Sequence, residues 1–311
     1  MSVDLEPSSQ SQEAQDFELT KSSLKAAGIS SLEKQIERYE QATSARRTYH
    51  DKDGKHVKQV VRRALTVADI LGASPLEQAL IEYAAYKHDY QASEEYTAQS
   101  ATEELQALKN QERIPGVTYE QIKEVASAIK KTKVTFTPVS LDQENEYTTA
   151  IQPEFEKSKS KIEIALMIAD LGAILIDGPE AHLEDAAALF FEIYKYDPPE
   201  PSSIDKGKLT EEAIKWFSAQ ADFAAGRMVQ TILELRNNQF LNEQGYDQTL
   251  LLSFQAINNF SQAIELSKKK TDCLVQAIKE NKPIEEILKI INTTDTDEIE
   301  KLHDQTQPNT Q

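Results

Sequence analysis

Five histidines punctuate the chain (His50, His56, His88, His182 and His303), and three of them precede an aspartate. His50-Asp51 falls in a polar turn, and His303-Asp304 falls in the polar C-terminal segment. His88-Asp89 stands apart because it closes the apolar run LEQALIEYAAYKHDY, where charge is costly to bury without partners. Imidazole beside carboxylate serves proton transfer or metal ligation. Covalent catalysis has little to build on. Cys273 lies in a helical pattern with no histidine near it in sequence. No G-x-S-x-G elbow, Walker A loop or G-x-G-x-x-G fingerprint occurs.

Around the doublet the order of residues resembles the HD superfamily of metal-dependent phosphohydrolases. The resemblance covers roughly residues 40–240. It begins with Tyr49-His50 and with His56-Val57-x-x-Val60 opening a helix, and continues with His88-Asp89 after an alanine-rich run. Asp170 follows in Ile168-Ala169-Asp170-Leu171-Gly172. Val125-x-x-Ala128-Ile129-x-x-Thr132 and Trp216-x-x-x-Gln220-x-x-Phe223 complete it. Taken singly, a histidine at a helix end or an aspartate after one is as readily a cap as a ligand; the order is what carries the likeness. The resemblance implies that His56, His88, Asp89 and Asp170 bind one divalent transition metal. Mn, Fe, Co, Ni and Zn all suit a mixed nitrogen and oxygen set. It implies a metal-activated water attacking phosphorus, with Asp89 taking a proton from that water. The substrate expected is a small phosphate ester, a nucleotide or a related molecule.

The chain departs from the family pattern in two places. No histidine lies between Asp89 and Asp170, so a second metal of the kind many members hold has no imidazole ligands there. Tyr90-Gln91 follows the doublet where many members place glycine. These departures motivate an alternative from another class, a catalytically inactive HD-fold regulatory or protein-interaction module. Phosphate also needs local positive charge in an acidic protein. Arg63, seven residues after His56, falls on the same helix face, and Lys133 follows Thr132; both are candidate phosphate contacts. His182 could approach the site from the helix after Asp177-Gly178-Pro179, though no spacing requires it.

Helices must position these groups. Val57, Val60, Val61, Ala64, Leu65, Ala68 and Leu71 recur at three-four spacing and predict a helix over 56–72. Further helices are expected at 30–49, 76–89, 93–110, 118–132, 155–176, 179–195, 207–240, 247–280 and 283–292. The segment 133–153 holds the β-type residues Val134 to Thr137, but Pro138 and its isolation predict a loop. Asp197-Pro198-Pro199-Glu200-Pro201 reads as a rigid break. Large apolar residues between Trp216 and Leu266 predict a helical hairpin packed on the catalytic part, or a surface for a homo-oligomer.

Only 9 glycines and 11 prolines in 311 residues argue for long helices over a sandwich or Rossmann fold. The expected class is all-α, an HD-domain-like helical bundle with a C-terminal helical extension. Residues 1–28 read as a mobile arm, 29–200 as the HD-like catalytic domain, 201–292 as C-terminal helices packed on it and 293–311 as a polar tail. A net charge of −18 opposes general nucleic-acid binding and attraction to anionic membranes. No apolar run reaches the roughly 18–20 residues a spanning helix needs. With no basic, apolar leader and one cysteine, the expected compartment is the cytoplasm.

Overall fold

A computed structural model describes residues 30–44, 54–90, 93–133, 135–142, 145–151, 160–170, 172–194, 196, 204–236 and 243–306. The fold is all-α in its framework. The helices described are α1 (Ser30–Ser44), α2 (Lys55–Ile70), α3 (Pro75–Lys87), α4 (Glu94–Asn110), α5 (Tyr119–Lys131) and α6 (Lys161–Asp170). They continue with α7 (Ala173–Ile176), α8 (Pro179–Ile193), α9 (Lys206–Arg236), α10 (Glu243–Lys279), α11 (Ile284–Asn292) and α12 (Thr296–Thr306). None of the described helices is long and apolar enough to cross a membrane.

Local chemistry sets the helix starts near the site. Gly54 precedes α2 with φ of 74°, a left-handed conformation that glycine adopts without a Cβ penalty. Ser74 caps α3: its hydroxyl accepts from Glu77 N, and the Glu77 carboxylate accepts from Ser74 N at 2.7 Å, with Pro75 in the first turn. Thr118 and Gln121 make the same reciprocal cap at α5. These caps satisfy backbone donors that a helix start otherwise leaves open.

Two apolar cores organise the helices. The first joins α1 to α6, with Leu32, Val60, Leu80, Leu105, Val125 and Leu166 all buried in it. Helix α6 is buried at every position from Ile162 to Ala169, all of them apolar except Glu163. Burying one such Ile, Leu or Met side chain contributes about 1.5–3 kcal/mol. The second core joins α8 and parts of α9 and α10 to α11 and α12 through Phe190, Phe217, Leu274 and Ile291. Helix α10 bridges the two: Ala256 belongs to the first core, and Asn259 Nδ2 donates to the Ile174 carbonyl at 3.1 Å. The C-terminal helices thus touch the rest of the chain through α10.

Three expectations change. β1 (Thr135–Asp142) and β2 (Asn145–Ile151) pair antiparallel, where a loop was expected. The segment carries both strands of its own ladder, and Pro138, opposite Thr148, is tolerated because each strand of a two-stranded ribbon keeps an open edge. The helix expected over 155–176 is divided into α6 and α7. Gly172 sits at the break, where a Cβ would lie 2.3 Å from the Ile168 carbonyl oxygen, so only glycine permits this approach. The C-terminal segment, expected to be frayed, forms α12, and Ile299 anchors it in the second core. The expected arm at 1–28, the turn with His50-Asp51 and the Asp197–Pro201 break lie outside the described residues.

Candidate metal centre

Three separate elements bring the sequence-predicted ligands together. His56 lies in the first turn of α2, His88 is the residue that ends α3, and Asp170 is the last residue of α6. One ligand atom from each of His56, His88 and Asp170 can be chosen so that all three lie within 4.8 Å of one another. Asp170 Oδ1 is 3.7 Å from His56 Nε2 and 3.5 Å from His88 Nε2. Asp89 Oδ2 is 3.7 Å from His56 Nε2 and 3.4 Å from His88 Nε2. The imidazoles are buried, while the Asp89 side chain is 38% exposed, so Asp89 marks the side open to solvent.

Hydrogen bonding orients one ring as a ligand. His88 Nδ1 donates to the Ala85 carbonyl at 2.6 Å, which leaves Nε2 to point at the carboxylates. That Nε2 is buried and faces Asp89 Oδ2 and Asp170 Oδ1. A buried imidazole nitrogen beside two carboxylates is the donor set of a cation site. The buried group His56, His88 and Asp170 can therefore hold a metal ion.

The charges explain the resting protonation. Burial works against an imidazolium at His88, but the Asp89 and Asp170 carboxylates outweigh it and push His88 up to about 9. His56 is likewise raised against the effect of burial, by Asp170, Asp185 and Asp89. Burial alone would raise the Asp170 carboxyl; the facing imidazoles hold it far below the usual carboxylate range instead.

Neighbouring groups brace the doublet. Lys87 is buried and donates to Glu104 at 2.9 Å and to the Tyr39 hydroxyl, with its ammonium 4.4 Å from the Tyr39 ring centroid. Tyr83 also donates to Glu104, at 2.8 Å. Helices α1 and α4 are thereby tied to the end of α3 immediately before His88. On the far side of the first core, Lys131 donates to the buried Glu163 of α6 at 2.8 Å.

Both candidate phosphate contacts are paired with carboxylates. Arg63 does share the His56 face, but its side chain is fully buried. Its Nε donates to Asp177 at 2.6 Å and its Nη2 to Asp185 at 3.2 Å. Lys133 is half exposed and paired with Glu95 at 3.0 Å, a surface pair worth little. His182 is buried against Phe223, rings stacked with centroids 6.1 Å apart. Burial, reinforced by Arg63 and opposed by Asp185, pushes it down to about 4, so its ring is neutral at pH 7. The Trp216 motif serves the same contact: its indole donates to the Ala186 carbonyl at 2.8 Å.

Sequence reading missed Asp177 and Asp185, which face Arg63 from 114 and 122 residues away. The only local trace of Asp185 is its position three residues after His182 on α8, one helical turn along. Comparison of the chain with family models, with curated proteins and with solved structures gives no match.

Proposed function

We propose that the chain is a metal-dependent hydrolase of a phosphate ester, acting on a nucleotide or a related small molecule. One observation carries this reading: His56, His88, Asp89 and Asp170, separated by up to 114 residues in sequence, converge on one cluster whose imidazoles are buried. His56, His88 and Asp170 hold one divalent transition metal, with Mn, Fe, Co, Ni and Zn all compatible with the donors. When bound, such an ion supplies Lewis acidity toward a phosphoryl oxygen and acidifies water. Asp89, at the solvent side, accepts a proton from the attacking water. The protein surroundings fix the ligand orientations and keep the two imidazoles dry. The order of these residues along the chain is what carries the HD resemblance, and that resemblance supports the same chemistry.

A second reading has one specific observation in its favour. Arg63 and Lys133, the cations expected to meet phosphate, are both engaged by carboxylates. On that reading the fold is an inactive HD-type module that binds a ligand or protein partner without turnover. Hydrolysis of a panel of nucleotides and phosphodiesters, read as loss of the intact ester by chromatography with Mn or Co added, separates the two. The hydrolase reading expects turnover that depends on metal and disappears in Asp170→Ala. A wild type that binds metal and hydrolyses no member of the panel supports the module instead.

A further inference from the structure

Arg63 ties together three elements, one of which is the helix that carries His56. It sits on α2 two turns beyond His56. Asp177, its first partner, follows α7, seven residues past Asp170. Asp185, its second partner, lies on α8, whose apolar face belongs to the second core. Arg62 also donates to Asp177, so that carboxylate receives both guanidinium groups.

The burial of Arg63 is costly in a telling way. Its side chain is wholly inaccessible, and Nη1 is buried without a hydrogen bond. Leaving a buried charged donor unmatched opposes folding, and such costs persist where a group is needed in one place. A guanidinium directs Nε and Nη2 at two carboxylates along fixed directions; an ammonium offers a point charge without that fork.

From this geometry we infer that Arg63 is a positioning residue for the metal centre: through Asp177 and Asp185 it locks the chain beyond Asp170, together with α8, onto the helix that carries His56. The inference rests on the metal reading of His56, His88 and Asp170. It gives Arg63 a role distinct from phosphate contact, because the side chain is fully buried and its Nε and Nη2 already hold carboxylates. It also makes the C-terminal core a determinant of the geometry at the site, since α8 belongs to that core.

The test is cobalt titration of the full chain, comparing wild type with Arg63→Lys and Asp185→Asn. Affinity and the visible absorption band of bound Co(II) are read beside thermal unfolding by circular dichroism. Outer partners of metal ligands typically change affinity by about 10–100-fold. Arg63→Lys should therefore bind cobalt at least about tenfold more weakly, with an altered band. Asp185→Asn, at a partly exposed side chain of the same shape, should shift both readouts in the same direction by less. A purely structural role would lower the unfolding temperature and leave the affinity and band of the folded protein unchanged. Folded variants with wild-type affinity and spectrum overturn the inference. If Arg63→Lys does not fold, Asp185→Asn decides by the same criterion. Absence of cobalt binding in the wild type overturns the metal reading and this inference together, whereas wild-type binding with unaltered variants overturns this inference alone.

Discussion

Asp89→Asn lowers phosphate-ester turnover by about 10²–10⁴-fold while helical content stays at the wild-type level. The substitution keeps the size and shape of the side chain and removes its ability to accept a proton. It also removes a carboxylate that lies 3.4 Å from His88 and 3.7 Å from His56. Because the Asp89 side chain is 38% exposed and lies beyond the end of α3, no apolar packing is lost with it. The effect should therefore fall on kcat, measured at saturating metal, with circular dichroism as the control for folding. A kcat within a factor of a few of wild type would remove Asp89 from the proton-transfer role.

Lys270→Met stabilises the protein at pH 7 and flattens its stability profile between pH 7 and 10. Lys270 is buried in the second core, where its ammonium donates to the Thr293 carbonyl at 2.8 Å and lies 4.2 Å from the Phe217 ring centroid. Among the described residues no carboxylate forms an ion pair with it. Burial pushes this amine down to about 7, slightly opposed by Cys273. Between that value and the ordinary lysine range near 10.5, the unfolded chain binds a proton that the folded chain has released. Stability therefore rises with pH across that window, and the full cost of the buried charge is felt below pH 7. Methionine fills similar space without charge. The gain at pH 7 should be on the order of 2 kcal/mol after allowing for the lost hydrogen bond to Thr293. Urea unfolding at pH 7 and pH 10 reads both effects. A variant whose pH dependence matches wild type would show that Lys270 is not the group responsible.

Much of the framework was legible from apolar spacing. The stripe from Val57 to Leu71 yields α2 within two residues of its observed ends. The run before His88 places the doublet at the end of α3, where His88 indeed terminates the helix. Periodicity works there because each helix buries a face against the same core. It does less for α12, where Ile299 and Leu302 are the main apolar contacts and a long stripe never develops. The strand pair was hidden for a different reason. Two strands that pair with each other need no neighbouring sheet, so isolation in sequence carried no information about them.

The site was legible in part for a similar reason. His56, His88 and Asp170 each sit at a helix end, and helix ends are where a bundle can aim polar groups inward at low cost. What lay beyond reach was the company each side chain keeps. Helical phase placed Arg63 on the His56 face, which the structure bears out. Helical phase is silent on whether that face meets solvent or two carboxylates from a segment more than a hundred residues on. Lys87 illustrates the same point: a cation in a candidate catalytic region proves to be a brace between α1, α3 and α4.

The most direct test of this account is the metal content of the purified chain. Elemental mass spectrometry, after purification without chelators, would be run on wild type, His88→Ala and Asp170→Ala. The account predicts about one transition-metal ion per chain in the wild type and none in either variant, with helicity retained in all three. A wild type without metal, even after reloading with Mn or Co, would contradict it and leave His56, His88 and Asp170 as a buried polar cluster in a helical fold.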